Sequence, residues 1–226
     1  TGVNLSVDSG EVVSILGENG AGKSTLIKLL GGIYKADSGE IYIDGEKKNI
    51  NSAAVAGANG IRIIHQEIIL VPARTIAANV FLGREIKNKL GLVDEKAMER
   101  ETQKVIDDFH LNLRADQLVE HLSIGMQQLV EIIKAVSAQA KIVVMDEPTS
   151  SLSQSEVETL FGIIRMLKAK GVGIIYISHR LEELFEITDK IVVLRDGKMV
   201  GSVPTAEADK DELIKMMVGR ELTSYY

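Results

Sequence analysis

Cysteine is absent from the 226 residues of this chain. Its absence excludes disulfide bonds, thiolate nucleophiles and thiolate metal sites, and it agrees with a reducing compartment such as the cytosol. No apolar run approaches the ~20 residues that a membrane-spanning helix requires. Internal repeats and low-complexity segments are also missing, so the composition is that of an ordinary globular protein.

A basic excess is missing as well. Lysine and arginine number 26 against 32 acidic residues, which gives a net charge of −6. A strongly basic face would attract nucleic acid, and its absence predicts that no nucleic acid is a partner. Hydrophobic residues make up 45% of the chain. That composition and length suit one large domain or two small ones.

The most specific local pattern is VVSILGENGAGKST at residues 12–25. An apolar run predicts a buried strand, a glycine-rich loop follows, and a helix begins at Lys23 and Ser24. This order is typical of a phosphate-binding P-loop. The predicted nucleotide-binding residues are Gly17, Glu18, Asn19, Gly20, Ala21, Gly22, Lys23, Ser24 and Thr25.

The residue types of the loop suit phosphate chemistry. Glycines let the backbone curl so that several N–H groups point at one anion, and the following helix adds the positive end of its dipole. Lys23 would reach the β- and γ-phosphates, and the Ser24 hydroxyl would ligate Mg²⁺.

Three further buried strands are predicted, and each ends in polar residues. The carboxyl ends of strands are where open α/β sheets bind ligands. After the strand at 142–145, Asp146 is predicted to hold Mg²⁺ and Glu147 to orient or deprotonate the attacking water. His179 follows the strand at 173–177 and is a predicted site residue, whereas His65, His110 and His121 are not. Gln66, after the strand at 60–64, is either a site residue or an ordinary strand-end polar residue.

Other segments indicate the rest of the architecture. Alternating apolar and polar residues predict half-buried strands at 3–7 and 40–45. From 72 to 135 helical periodicity dominates, which indicates an inserted helical subdomain. It ends with a helix for which Ser123 is a good N-cap. Whether Ser123 and Gly125 do more than begin that helix is left open by the residues alone.

The motifs GENGAGKST, HQE, LSIGMQQ, VVMDEPTSSLS and YISH occur in this order, and together they resemble the ATP-binding-cassette (ABC) ATPases over essentially the whole chain. The resemblance implies an α/β fold: a P-loop NTPase (RecA-like) core with an N-terminal antiparallel β subdomain and an inserted α-helical subdomain. Residues 1–226 would form one ABC ATPase domain, with the core and its β part at 1–71 and 136–226 and the helical subdomain with the signature loop at 72–135.

By this resemblance the cofactors are ATP and Mg²⁺, and two ATPase domains stack head to tail around the nucleotide. Ser123 and Gly125 of the signature loop at 122–126 would bind the γ-phosphate of the opposing domain's ATP. Residues 150–153 would form the D-loop. The implied catalytic residues are Glu147, His179 and Gln66, and the implied Mg²⁺ ligands are Ser24, Gln66 and Asp146.

Longer segments, among them TIAANVFLGRE, YISHRLEELFEITDKIVVLRDGK and MMVGREL, resemble the first ATPase half of tandem sugar-import ATPases of the ribose, galactose and xylose type. The implied function is ATP hydrolysis that drives monosaccharide uptake through a membrane permease. The implied partners are a second ATPase domain, the permease and, indirectly, an extracytoplasmic sugar-binding protein. The implied location is peripheral, on the cytoplasmic face of the plasma membrane. The alternatives are a soluble ABC-type ATPase of DNA repair or translation, and a catalytically weak regulatory half of a tandem ATPase.

The chain departs from the family pattern in three places. Ile124 and Met126 replace glycine and glutamine of the usual LSGGQ, and a β-branched residue lacks the backbone freedom of glycine. We therefore expect this signature loop to serve a weaker site, and the competent site to use this chain's P-loop. Ser153 replaces the aspartate that usually ends the D-loop. No aromatic residue precedes Tyr34, so the adenine-stacking residue lies upstream of Thr1 or is lost.

Overall fold

Apolar runs bounded by turn residues form the strands of the structure, a computed structural model in which residues 2–219 are described. The strands are β1 Val12–Leu16, β2 Ile41–Ile43, β3 Glu46–Lys48, β4 Ile61–Ile64, β5 Ile142–Asp146, β6 Gly173–Ile177, β7 Lys190–Arg195 and β8 Lys198–Pro204. The helices are α1 Lys23–Leu30, α2 Ala53–Ala58, α3 Ile76–Val80, α4 Glu95–Asp108, α5 Ile124–Ser137, α6 Gln154–Ala169, α7 Leu181–Ile187 and α8 Lys210–Val218. The end of the closing segment that carries the resemblance, residues 220–222, lies outside the described residues.

Six strands form the main sheet, in the order β4-β5-β6-β1-β7-β8. Strand β1 pairs in parallel with β6 and β7, β6 pairs in parallel with β5, and β8 is antiparallel to β7. The register aligns Ile15 of β1 with Ile177 of β6, and Ile177 with Asp146 of β5. The residues that follow these three strands therefore leave the sheet at the same edge.

The chain divides into two compact units. The first contains the chain up to Ile63, Lys141–Glu147 and everything described from Ile164 onward. All five residues of β1 and of β6 are buried, as expected of central parallel strands. A separate antiparallel hairpin joins β2 to β3 through Asp44 and Gly45. Both turn residues have positive φ, 52° and 76°, as a type I′ turn requires.

The second unit contains Ile64–Ala140 and Pro148–Ile163. The predicted helical insertion at 72–135 falls inside it, although the unit is wider at both ends and takes in the first part of α6. Side-chain caps begin its helices: Thr75, Asp94 and Ser123 accept hydrogen bonds from the N–H groups three residues on. Over residues 2–219, every helix is too short or too polar to cross a bilayer.

The prediction of a strand at residues 3–7 is wrong. Partly buried and exposed residues do alternate there, and Val3, Leu5 and Val7 pack against the core of the first unit. The segment is nevertheless not part of any strand described in residues 2–219, because an alternating pattern indicates one buried face and not a hydrogen-bonding partner. Of the predicted antiparallel β part, the described residues contain the hairpin of β2 and β3.

Candidate functional site

The P-loop turns sharply where β1 ends. A Cβ atom at Gly17 would lie 2.5 Å from the carbonyl oxygen of Leu194 and 2.9 Å from Cβ of Ala21. Gly20 and Gly22 adopt φ values of 86° and 103°, which side chains disfavour. The spacing of glycines in the motif is thus explained by one close approach and two left-handed residues.

Lys23 is the first residue of α1, and its ammonium group turns back into the loop. Its Nζ donates hydrogen bonds to the carbonyl oxygens of Gly17, at 2.6 Å, and Glu18, at 3.0 Å. The residue is only 9% exposed. A buried cation held by loop carbonyls, beside free N–H groups at the start of a helix, is suited to bind an anionic phosphate.

Acidic residues stand at the end of β5. Asp146 closes the strand, and Glu147 follows it with a left-handed backbone at φ 47°. The Glu147 N–H donates to the carbonyl oxygen of Ile177, at 2.9 Å, which holds this unusual conformation against β6. Glu147 is thereby turned toward the carboxyl end of the parallel strands, where β1 also ends.

His179 approaches the same carboxylate from the end of β6. Its Nδ1 lies 3.2 Å from Oε1 of Glu147, and the two side chains are 63% and 20% exposed. The first unit therefore holds the P-loop residues 17–25, Asp146, Glu147 and His179. A carboxylate and an imidazole in contact, beside a phosphate-binding loop, provide the groups needed to orient a water molecule and a transferred phosphoryl group.

The remaining predicted site residues belong to the second unit. Gln66 is exposed in the bend after β4. Ser123 is the N-cap of α5: its hydroxyl accepts from the Met126 N–H at 3.2 Å. The same hydroxyl donates to Oε1 of Glu156 at 3.3 Å, and a Cβ at Gly125 would collide with that carboxylate.

Glu156 thus lies against the first turn of α5. Its Oε2 accepts from the backbone N–H and the hydroxyl of Ser153, both at 2.8 Å. These two hydrogen bonds hold the pKa of the Glu156 carboxyl below its ordinary value. Ser153 and Glu156 thus form a capping pair at the start of α6, and the sequence alone did not indicate the further contact of Glu156 with the signature loop.

The backbone at Ile124 does not require glycine. The helix α5 begins at this residue, and Ile124 is not among the side-chain-bearing residues with positive φ in the described part of the chain. Glycine's freedom is therefore not needed at position 124. Ile124 and Met126 instead expose 59% and 37% of their surface at the start of the helix.

Sequence reasoning also missed Glu183 of α7, a carboxylate that is 6% exposed and bonded to residues on both sides of His179. A signal existed. Glu183 falls on the same helical face as the buried Leu184 and Ile187, where a solvated acid is not expected.

Comparison with known families shows to which family the chain belongs. Residues 1–150 match the family described as ABC transporter. The chain belongs to the ABC transporter family. The family and the α/β fold class predicted from the motifs are therefore confirmed.

The relatives narrow the resemblance within the ABC family. The chain is 48% identical to a protein named Ribose import ATP-binding protein RbsA from Lactococcus lactis subsp. lactis (strain IL1403), over 99% of this chain and 46% of the relative. It is 45% identical to the protein of the same name from Bacillus licheniformis, over the whole chain and 46% of the relative. The chain spans about half the length of the curated relatives it matches. The predicted resemblance to sugar-import ATPases is confirmed.

Solved ABC structures share the fold. An ATP-binding cassette of an ABC transporter in its ADP conformation matches with a TM-score of 0.82 and 27% identity, covering 96% of this chain and 91% of that one. A dimeric cassette in a post-hydrolysis state, bound to ADP and Pi, matches with a TM-score of 0.76 and 26% identity, covering 90% and 89%.

Proposed function

We propose that the chain is the ATP-hydrolysing domain of an importer for a monosaccharide such as ribose. The observation that carries the proposal is the contact of Glu147 with His179 at the sheet edge where the P-loop also begins. The sugar is supported by the name of the relatives, ribose import ATP-binding protein.

In the proposed reaction Lys23 and the P-loop N–H groups bind the β- and γ-phosphates. Glu147 orients or deprotonates the attacking water, and His179 contacts the γ-phosphate. The contact of His179 with Glu147 keeps the imidazole beside the carboxylate, so that the two groups could act together. Gln66 remains a role implied by the resemblance, as a catalytic residue and a Mg²⁺ ligand.

The donor set fits Mg²⁺. The Ser24 hydroxyl and the Asp146 carboxylate are hard oxygen ligands, and both belong to the first unit. In the described part of the chain no three His, Cys, Asp or Glu side chains form a group able to hold a metal. A few hard protein oxygens are enough for Mg²⁺, since this ion takes its other ligands from phosphates and water. When bound, the ion would neutralise charge on the phosphates.

The assembly follows from the same proposal. A second ATPase domain would supply its signature loop to this P-loop, and Ser123 and Gly125 would face the nucleotide of that domain. The partners would be a membrane permease and, indirectly, a sugar-binding protein outside the membrane, with this domain on the cytoplasmic face. We further propose that 72–135 is the helical subdomain of one ABC ATPase domain formed by 1–226, and that this chain is the first half of a tandem protein.

The test is Glu147→Gln in the full-length protein. The loss of a general base lowers turnover by about 10²–10⁴ at this site, while ATP binding survives because Lys23 and the loop are intact. Turnover and binding of a fluorescent ATP analogue are measured together. Unchanged turnover in the variant would show that Glu147 is not the base.

Lys23→Ala in the same protein addresses the weak-half alternative. If this chain's P-loop serves the competent site, turnover collapses and sugar uptake into vesicles stops. An unchanged ATPase rate would instead assign the chemistry to the other half. Copurification with nucleic acid in place of a permease would favour a soluble ATPase of repair or translation.

A further inference from the structure

Glu183 is a buried carboxylate one helical turn beyond His179. It is 6% exposed, on α7, and it accepts hydrogen bonds through both oxygens. Oε2 accepts from the hydroxyl of Ser178 at 2.8 Å and from the hydroxyl of Tyr176 at 2.9 Å. Oε1 accepts from Nη1 of Arg180 at 3.0 Å.

These bonds bracket His179. Ser178 precedes it and Arg180 follows it, and both are bonded to the one carboxylate. The Ser178 hydroxyl also accepts from the Arg180 N–H at 3.0 Å, so the two flanking residues are bonded to each other as well. His179 itself is exposed, whereas both residues that flank it are held by these hydrogen bonds.

We propose that Glu183 is the positioning residue for His179 in ATP hydrolysis. The inference rests on the proposed role of His179 at the γ-phosphate. Buried carboxylates are unfavourable unless they are hydrogen-bonded, and this one accepts from two residues of the segment that carries the imidazole and from Tyr176 of the strand that leads into it. A reacting group must be held within about 0.5 Å of its productive position, and an exposed side chain at a strand end needs such support.

A purely structural role is the competing explanation. In that case Glu183 satisfies Tyr176 and Ser178 inside the first unit, and its loss lowers stability without regard to His179. The two explanations differ in one measurable respect: only the positioning role disappears when His179 is absent.

The experiment compares Glu183→Gln in the full-length protein, alone and combined with His179→Ala. The amide retains one acceptor oxygen, so either the two hydroxyls or Arg180 loses its partner. We expect kcat for MgATP hydrolysis to fall about tenfold, as misplacement of a reacting group does, with KM changed less than about twofold. In the His179→Ala background the added change should have no further effect on kcat.

The matched control is Glu182→Gln. Glu182 is the neighbouring acid on α7, is 77% exposed and pairs with Lys210. The kcat of the Glu182→Gln variant should equal that of the wild type. Thermal unfolding and binding of a fluorescent ATP analogue confirm that each variant is folded.

Three outcomes decide the matter. Wild-type kcat in folded Glu183→Gln overturns the inference, and so does an equal fall of kcat in both backgrounds. If His179→Ala alone leaves kcat unchanged, the proposed role of His179 fails and the inference fails with it. Either of the first two results, by contrast, overturns the inference and leaves the proposed role of His179 intact. If Glu183→Gln does not fold, Ser178→Ala replaces it: kcat must fall in the wild-type background and not in the His179→Ala background.

Discussion

At the scale of single residues, Glu147 shows how the fold shapes a site. Its left-handed backbone, φ 47°, is a conformation that side-chain-bearing residues adopt rarely and at some cost. The hydrogen bond from its N–H to Ile177 maintains it. Such conformations are concentrated at functional sites, where the surrounding structure compensates for the strain. Here the strain aims the carboxylate toward His179.

Gly17 carries the sharpest steric requirement of the P-loop, since the atoms nearest a new Cβ are the backbone oxygen of Leu194 and the methyl group of Ala21. We predict that Gly17→Ala lowers the free energy of unfolding by about 1–3 kcal/mol, the range for overpacking, and that it also impairs ATP binding because the loop must shift. Urea denaturation and nucleotide titration measure the two effects.

Gly162 provides the matched control for Gly17→Ala. It lies inside α6, has no positive φ, and a Cβ there meets no atom within 4 Å. Gly162→Ala should raise the free energy of unfolding by about 0.5–1 kcal/mol through helix propensity and leave ATP binding unchanged. Equal effects of the two substitutions would contradict the steric account of Gly17.

At the scale of elements, α5 does more than present the signature loop. About two turns along it, Glu131 accepts from the Ile69 N–H at 3.1 Å, and Lys134 donates to the Ile69 carbonyl oxygen at 3.4 Å. The two side chains pair with each other at 3.5 Å. The segment that follows Gln66 is thus bonded to the helix that begins at the signature loop.

The Glu131 carboxyl gives this element a pH dependence. Burial raises its pKa above the ordinary value, against the opposing effects of Lys134, the Ile69 N–H and His65. The folded state therefore binds a proton more tightly than the unfolded state, and stability falls as pH rises from the ordinary pKa through the folded one.

We predict that Glu131→Gln removes this loss of stability with rising pH. The free energy of unfolding of the variant, relative to that of the wild type, should increase as pH rises above the ordinary carboxyl pKa, as measured by urea denaturation at each pH. Lys134→Met should have the opposite effect, because it removes the cation that opposes the shift. Parallel pH profiles for Glu131→Gln and the wild type would rule out the assigned cause.

At the scale of the whole molecule, nucleotide binding is expected to raise the free energy of unfolding. A ligand that binds only the folded state, at about 100 times its Kd, raises the free energy of unfolding by about 2.7 kcal/mol. We predict that MgATP raises the melting temperature of the wild type and of Glu147→Gln, and not that of Lys23→Ala. Scanning calorimetry at several ATP concentrations measures this. A melting temperature that MgATP leaves unchanged in the wild type would contradict the nucleotide site.

Much of this architecture could be predicted from the sequence because its signals are local. Buried apolar runs located β1, β4, β5 and β6, and the capping residue Ser123 located the start of α5. The strand at 3–7 failed because pairing depends on a neighbour that a local pattern does not contain. Strand β8 alternates partly buried and exposed residues over seven positions, and it is its antiparallel ladder with β7 that makes it a strand of the main sheet.

The sequence by itself determined the family: residue type and spacing in the P-loop, the acidic strand end and His179 already predict phosphate binding and indicate the ABC family. Only the tertiary structure decided which side chains meet. The contact of Glu147 with His179 joins residues 32 positions apart through strand register, and Glu156 reaches Ser123 across 33 positions. Burial, finally, gives Glu183 its role, since identical acids at 182 and 183 differ only in which one the fold removes from water.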